Sequence, residues 1–180
     1  MYEIKEVLTR DSWKRGDEAA VVLDIKRPYI EDVPKRVNRY YSYLEKRLKS
    51  FCGRRARAGE KGVYRLDYTV GLCDEKHISI YCDVYLDGFI RARTACTWDA
   101  FSGYPLPLGH FTELSRRAII ARIASEIEND RFRIYFKSYA KRLKRFYDPD
   151  NFWLSGSGIN FYYQPLALAP VEYGVSHFLL

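Results

Sequence analysis

Three histidines (His77, His110, His177), four cysteines (Cys52, Cys73, Cys82, Cys96) and the carboxylates Asp67, Asp83, Asp87 and Asp99 are the side chains of this sequence whose types could do chemistry. The histidines are widely spaced and form no HExxH-type pair, so no zinc site is signalled and each reads as a structural or surface histidine. The cysteines show no CxxC spacing. In a reducing compartment they are free thiols, serving as small buried hydrophobes. No GxSxG, P-loop or GxGxxG occurs, and Gly156-Ser157-Gly158 is better spent on a turn. Acid–base work needs two carboxylates within several Å. Asp83 and Asp87, joined by Asp67 or Asp99, would qualify, yet the same spacing suits strand and turn positions equally well. The sequence therefore predicts no catalytic residue, no metal and no cofactor. A hydrolase built on sheet and turn carboxylates is the least favoured alternative.

The elements that would position these groups belong to a globular chain. Its 180 residues are 47% hydrophobic, with 16 Tyr and 10 Phe, which argues against disorder and for a sheet with a heavy aromatic load. A chain of this length buries enough surface to need no staples, and a single domain over residues 1–180 is expected. Acids near the N-terminus and the lack of any long apolar run predict no signal peptide, no membrane span and a cytoplasmic protein. The net charge of +7 is unevenly spread. Lys35 to Lys61 holds ten Lys or Arg against two acids and Arg116 to Tyr147 ten against three, leaving the rest of the chain net acidic.

In chain order, strands are predicted over Glu3 to Thr9 and Ala19 to Ile25, joined near Gly16-Asp17. A helix follows from Pro34, with Val37, Tyr40, Tyr41, Leu44, Leu48 and Phe51 on one stripe and Gly53 past its end. The loop from Cys52 to Gly62 is then mobile unless an anion holds it. Alternation over Tyr64 to Leu72, Ile78 to Leu86 and Ile90 to Trp98 predicts an antiparallel meander. Agreement of the apolar rows requires a loop of odd length, and Asp87-Gly88-Phe89 supplies one. The outer face then shows Asp67, Thr69, Tyr81, Asp83, Tyr85, Arg91, Arg93 and Thr97. Further helices are predicted from Thr112 to Asn129, burying Leu114, Ile120, Ile123, Ala124 and Ile127, and from Arg131 to Tyr147. The aromatic runs flanking Ser155 to Gly158 form a hairpin that Pro165 and Pro170 terminate. Its Phe152, Trp153, Phe161 and Tyr163 are expected to pack on the meander's apolar face. The fold class is α+β: an antiparallel meander packed with about three helices and closed by a C-terminal β-hairpin.

Two surfaces suit binding. The meander's outer face, through Tyr81, Tyr85, Asp87, Arg91 and Arg93, is composed like a protein–protein contact, unless the N-terminal strands cover it. The helical cations Lys46, Arg47, Arg54, Arg55 and Arg57 could neutralise phosphates of a nucleic acid or another anionic surface, with Tyr40, Tyr41 or Tyr139 stacking on bases. The bland alternative is a solvated face whose long stems cover apolar surface.

Several motifs carry a resemblance. Pro28-Tyr29-Ile30, Val37-Asn38, Thr97 to Gly103, Leu106-Pro107-Leu108, Asn151 to Leu154, Gly158 to Phe161, Gln164-Pro165, Ala169-Pro170 and Tyr173-Gly174 together resemble the RsiV-type C-terminal domain family. These are domains of unknown function, found in a lysozyme-sensing anti-sigma factor and in some peptidoglycan deacetylases. The match runs from about residue 20 onward. It implies a non-catalytic α+β domain that binds a protein or wall-related ligand. The family's Gly-Gly-Ala-His-Gly-like loop is replaced here by Asp87-Gly88-Phe89-Ile90-Arg91, which is where function is expected to have diverged.

Overall fold

A long helix, two stacked sheets and a pair of smaller helices form four successive layers. The structure is a computed structural model describing residues 2–15, 18–132 and 134–180, with the side chains at 15, 18 and 19 outside the description; the predicted connector at Gly16-Asp17 lies outside the described residues. The elements are β1 (Ile4–Arg15), β2 (Glu18–Ile30), α1 (Lys35–Arg57), β3 (Gly62–Cys73), β4 (His77–Leu86), β5 (Phe89–Asp99), α2 (Arg116–Glu128), α3 (Tyr139–Arg145), β6 (Phe152–Ser155), β7 (Gly158–Tyr163) and β8 (Ser176–Leu179). Short 3-10 turns occupy Leu108–His110 and Val171–Tyr173. The α+β class is as predicted.

The first five strands form one sheet in chain order, and the last three form another. The larger sheet is mixed rather than purely antiparallel: β2 and β3 run parallel over Val21 to Ile25. The reason is connectivity, because a helix between two strands returns the chain in the same direction. Beyond Ile25 the strand β2 pairs with β1 alone, which is why Pro28, lacking an N–H, is tolerated there. At the end of β2, Asn38 of α1 accepts from the Ile30 N–H (2.9 Å) and donates to its carbonyl (2.7 Å), replacing the missing neighbour.

The inner face of the large sheet packs on α1. Val37, Tyr41, Leu48 and Cys52 are buried against Ile78, Ile80 and Cys82 at one end and Val21, Leu23, Ile25, Tyr64 and Leu66 at the other. The Trp98 indole N–H donates to the Tyr41 hydroxyl (3.0 Å), satisfying both buried polar groups. The helix continues through Gly53, which the sequence had marked as lying past its end. A Cβ at Gly53 would sit 3.2 Å from the Trp13 indole nitrogen, so this glycine admits Trp13 rather than stopping the helix. Much of the predicted loop from Cys52 to Gly62 is thus helical.

The β4–β5 connection corrects the predicted loop. Leu86 pairs with Phe89, leaving Asp87-Gly88 as a two-residue turn with φ of +50° and +86°. The register then shifts by one residue between Val84 and Tyr85, with Arg91 extra on β5. That bulge restores the parity that the third loop residue was meant to supply, and Ile78, Ile80 and Cys82 face Trp98, Cys96 and Thr94 as expected. Ile90, before the bulge, falls opposite Tyr85 instead of joining the apolar row.

A second bulge at Gly71 lies between Val70 and Leu72. A Cβ there would meet the Leu154 carbonyl at 2.3 Å and the Trp153 ring at 2.7 Å. Gly71 therefore lets β6 lie directly on the large sheet, where Ser79 Oγ accepts from the Leu154 N–H (2.8 Å) and bonds Thr97 Oγ1 (2.8 Å). This overturns the expected packing of the hairpin. α1 already covers the apolar face, and the small sheet covers the polar one at β4–β5, through Trp153 and Tyr162. Phe152, Leu154, Phe161, Tyr163 and Phe178 point the other way, into a core closed by Ile119, Ile123 and Ile127 of α2 and Leu143 of α3. Both helices are shorter than predicted: Ser115, not Thr112, caps α2 by accepting from the Ala118 N–H, leaving Leu114 exposed. Before α3, the Phe136 N–H donates to the Leu168 carbonyl, so the stretch from Arg131 is not helical where described.

Candidate binding surface on the outer sheet face

Alternation places Arg65, Asp67 and Thr69 of β3, Tyr81, Asp83 and Tyr85 of β4 and Arg93 of β5 on the outer side of the large sheet. Cross-strand pairing aligns Asp67 with Asp83 and Asp83 with Arg93 in one row, and Arg65 with Tyr85 in the next. Two carboxylates directly opposite each other repel, so each needs its own cation. Arg93 supplies one through two 2.7 Å bonds to Asp83, with both side chains under 10% exposed. Arg65 supplies the other, at 2.8 Å from Asp67.

This row divides the predicted site. Arg93 is enclosed by the Tyr81 ring at 4.0 Å, the Trp153 ring at 5.0 Å and the Tyr162 ring at 5.9 Å. Gln164 takes both its backbone groups, accepting from the N–H (2.9 Å) and donating to the carbonyl (2.6 Å). Burial, and next the Arg93 charge, hold His177 below its ordinary range where it packs on Trp153. Arg93, Asp83 and Thr97 are therefore internal to the sheet–sheet contact and are withdrawn from the predicted exposed face. Tyr81 is half-buried against Trp153, with ring centroids 4.8 Å apart. Asp87 is exposed, but its carboxylate accepts from the Val63 N–H (2.9 Å), which is a turn role. Tyr85, half-buried beneath the Arg65 guanidinium at 4.3 Å, and Arg91, exposed on its bulge, remain on the surface.

The N-terminal strands do not cover this face; they widen it. Leu8, Arg10, Asp24 and Lys26 join Arg65 and Asp67 around a depression of about 510 Å³ where β2 and β3 part. Leu8 is 67% exposed, Arg10 pairs with Asp24 at 3.3 Å, and Asp67 Oδ1 is buried without a hydrogen-bond partner. This half of the surface was not among the predicted binding residues. Its signal was the alternation of Leu8, Arg10 and Ser12 along β1, legible only once β1 and β2 are placed in the same sheet.

The remaining predicted groups separate as follows. Among the described residues, no ion pair engages Lys35, Arg36, Arg39, Lys46, Arg47, Arg54 or Arg57 of α1, whereas Arg55 pairs with Glu60. Tyr41 is buried, which removes it from base stacking, while the Tyr40 hydroxyl bonds Thr94 and the Tyr139 hydroxyl bonds Glu128. Of the other carboxylates, Asp99 accepts from the Ser102 N–H (2.6 Å). The fold brings His77 and His110 rings within 6.4 Å, but no group of three or more His, Cys, Asp or Glu among the described residues is placed to hold a metal. The cysteines are free thiols, and burial pushes those of Cys82 and Cys96 up to about 12. No helix among the described residues is long and apolar enough to cross a membrane.

No family model matches the chain, and no curated protein matches it in sequence. Solved structures do resemble it. A DUF3298-family protein of Pseudomonas aeruginosa superposes with a TM-score of 0.65 at 12% identity, covering 99% of this chain and 90% of that one. Another, from Bacteroides fragilis, gives 0.63 at 14% identity, with the same 99% and 90% coverage. Over nearly its whole length the chain has the fold of these DUF3298-family proteins.

Proposed function

We propose that the chain is a single non-catalytic binding domain of the RsiV-type kind that recognises a protein partner through the uncovered half of its outer sheet face. The observation that carries this reading is the face itself. It sets an exposed Leu8 among Arg10, Asp24, Lys26 and Arg65 around the depression, with Tyr85 beneath the Arg65 guanidinium and Arg91 exposed on β5. Aliphatic and aromatic anchors among oriented charges are what protein contacts use. A non-catalytic role is supported by how the carboxylates are spent: Asp83 on Arg93, Asp87 on a backbone N–H and Asp99 on a turn. Capture from an extract of the source cells tests the reading. Leu8→Glu combined with Arg91→Glu is expected to weaken the captured partner at least about tenfold. The same variant should change stability by no more than about 0.5 kcal/mol, since both side chains are exposed. Equal capture by the variant would remove the face from consideration.

A second reading rests on the unpaired cations along α1. Their row would neutralise several phosphates, so the chain should be retained on heparin at low salt, with affinity falling steeply as salt rises. Lys46→Glu with Arg47→Glu and Arg54→Glu should abolish retention. No retention of the parent chain would dispose of this reading.

A further inference from the structure

The free edge of β5 carries a second concavity, distinct from the outer face. Along that edge, Gln164 occupies the backbone of Arg93 at one end, and the Leu106 N–H donates to the Thr97 carbonyl (2.8 Å) at the other. In an antiparallel ladder alternate residues turn their backbone groups outward, so Ala95 is the edge residue between these two that faces away from β4. A groove of about 440 Å³ lies over it, bounded opposite by the turn from Asp148 to Asn151 and floored by Thr94 and Tyr40, whose hydroxyls bond each other at 3.0 Å. That volume suits a ligand the size of a side chain with its flanking amides.

Three features state what the groove would take. Asn151 lines it and is only 8% exposed, and its carboxamide makes no hydrogen bond within the described protein, although its backbone N–H and carbonyl are both bonded. The carboxamide opens onto the groove, the side from which a partner can reach it. Asp148 and Asp150 stand exposed at the rim, neither in an ion pair with a described residue. The cation lining the groove, Arg93, has its guanidinium committed to Asp83. In a chain of net charge +7 the groove is thus locally acidic, with an amide and the Ala95 carbonyl open to a second amide, the Ala95 N–H being turned to the Tyr162 hydroxyl.

We propose that this groove binds a cationic peptide side chain, an arginine or lysine whose head group pairs with Asp148 and Asp150 while its flanking amides meet Asn151 and the β5 edge at Ala95. The site is separate from the outer face, and it stands or falls independently of the protein-docking role above.

Two-dimensional NMR on the intact chain tests it, with N-acetyl-arginine methylamide and N-acetyl-lysine methylamide as probes. Saturable shifts are expected at Thr94, Ala95, Cys96, Asn151 and Gln164. The N-acetyl-norleucine methylamide control, which keeps the amides and lacks the charge, should bind about tenfold more weakly, as should Asp148→Asn combined with Asp150→Asn toward the arginine probe. Asparagine keeps an acceptor for the turn bond from the Asp150 backbone N–H to the Asp148 side chain (3.1 Å). If the double variant nonetheless melts early, Asp150→Asn alone carries the comparison. Equal binding of norleucine, shifts reproduced by magnesium chloride alone, or no localised shifts would each overturn the proposal.

Discussion

Replacing Arg93 by Ala is expected to destabilise the chain by about 3–5 kcal/mol, the range for breaking a buried ion pair from one side. From the sequence, Arg93 reads as a surface binding residue whose loss the fold would tolerate. The structure reverses that expectation. Truncation would leave the Asp83 carboxylate, under 10% exposed, without its two 2.7 Å donors and facing Asp67 across the strand pair. It would also remove the cation that lies against both the Tyr81 and Trp153 rings, where the two sheets touch. Chemical denaturation monitored by tryptophan fluorescence measures the loss. Asp83→Ala combined with Arg93→Ala should cost less than the two single losses added together, because the second removal deletes a charge already left unpaired. A midpoint unchanged by Arg93→Ala would show that the pair does not hold the sheets.

Phe161→Ala is expected to cost a similar amount, about 3–5 kcal/mol, for a different reason. Phe161 is fully buried on the side of the small sheet that faces the helices, pairing across strands with Phe152 and Phe178. Its ring stacks on Tyr147 at 5.2 Å and meets Tyr163 edge-on at 5.6 Å. Truncation opens a cavity that β-sheet backbone on one side and α2 on the other cannot close. Thermal denaturation should show an early transition. A control at Tyr43, 54% exposed on α1, should stay within about 0.5 kcal/mol of the parent.

These two residues also mark where sequence reasoning succeeded and where it failed. The alternation from Tyr64 to Trp98 was read correctly except at Leu72 and Ile90, which the two bulges carry off the apolar row, because a strand with one apolar row must turn that row inward. What alternation cannot say is which layer lies on each face, and here both faces of β4 are covered. The signals were present. Gly71 interrupts a strand, which marks a close backbone approach, and Ser79 and Thr97 are small enough to lie beneath β6. The hairpin itself is apolar on both sides, with Trp153 and Tyr162 alternating with Phe152 and Phe161, the pattern of a strand covered on two faces. The parallel pairing of β2 with β3 was likewise implied by a helix lying between two strands. The late start of the predicted third helix was not legible, since periodicity favours helix from Arg131 and a distant carbonyl, that of Leu168, takes the Phe136 N–H instead. At the candidate site, β4 and β5 residues were grouped on one side of the sheet, but a row of side chains reads the same whether another sheet lies on it or not. Arg93 went inward while Tyr85 and Arg91, beyond the reach of β6, stayed out.

The proposed docking site is the uncovered half of the outer sheet face. Amide hydrogen exchange of the chain, alone and with the partner it captures, tests this most directly. New protection is expected only in β1, β2, β3 and the turn from Tyr85 to Arg91, with α1, α2 and α3 unchanged. Protection that falls on α1 or on the C-terminal helices, with β1 to β3 exchanging as in the free chain, would contradict it.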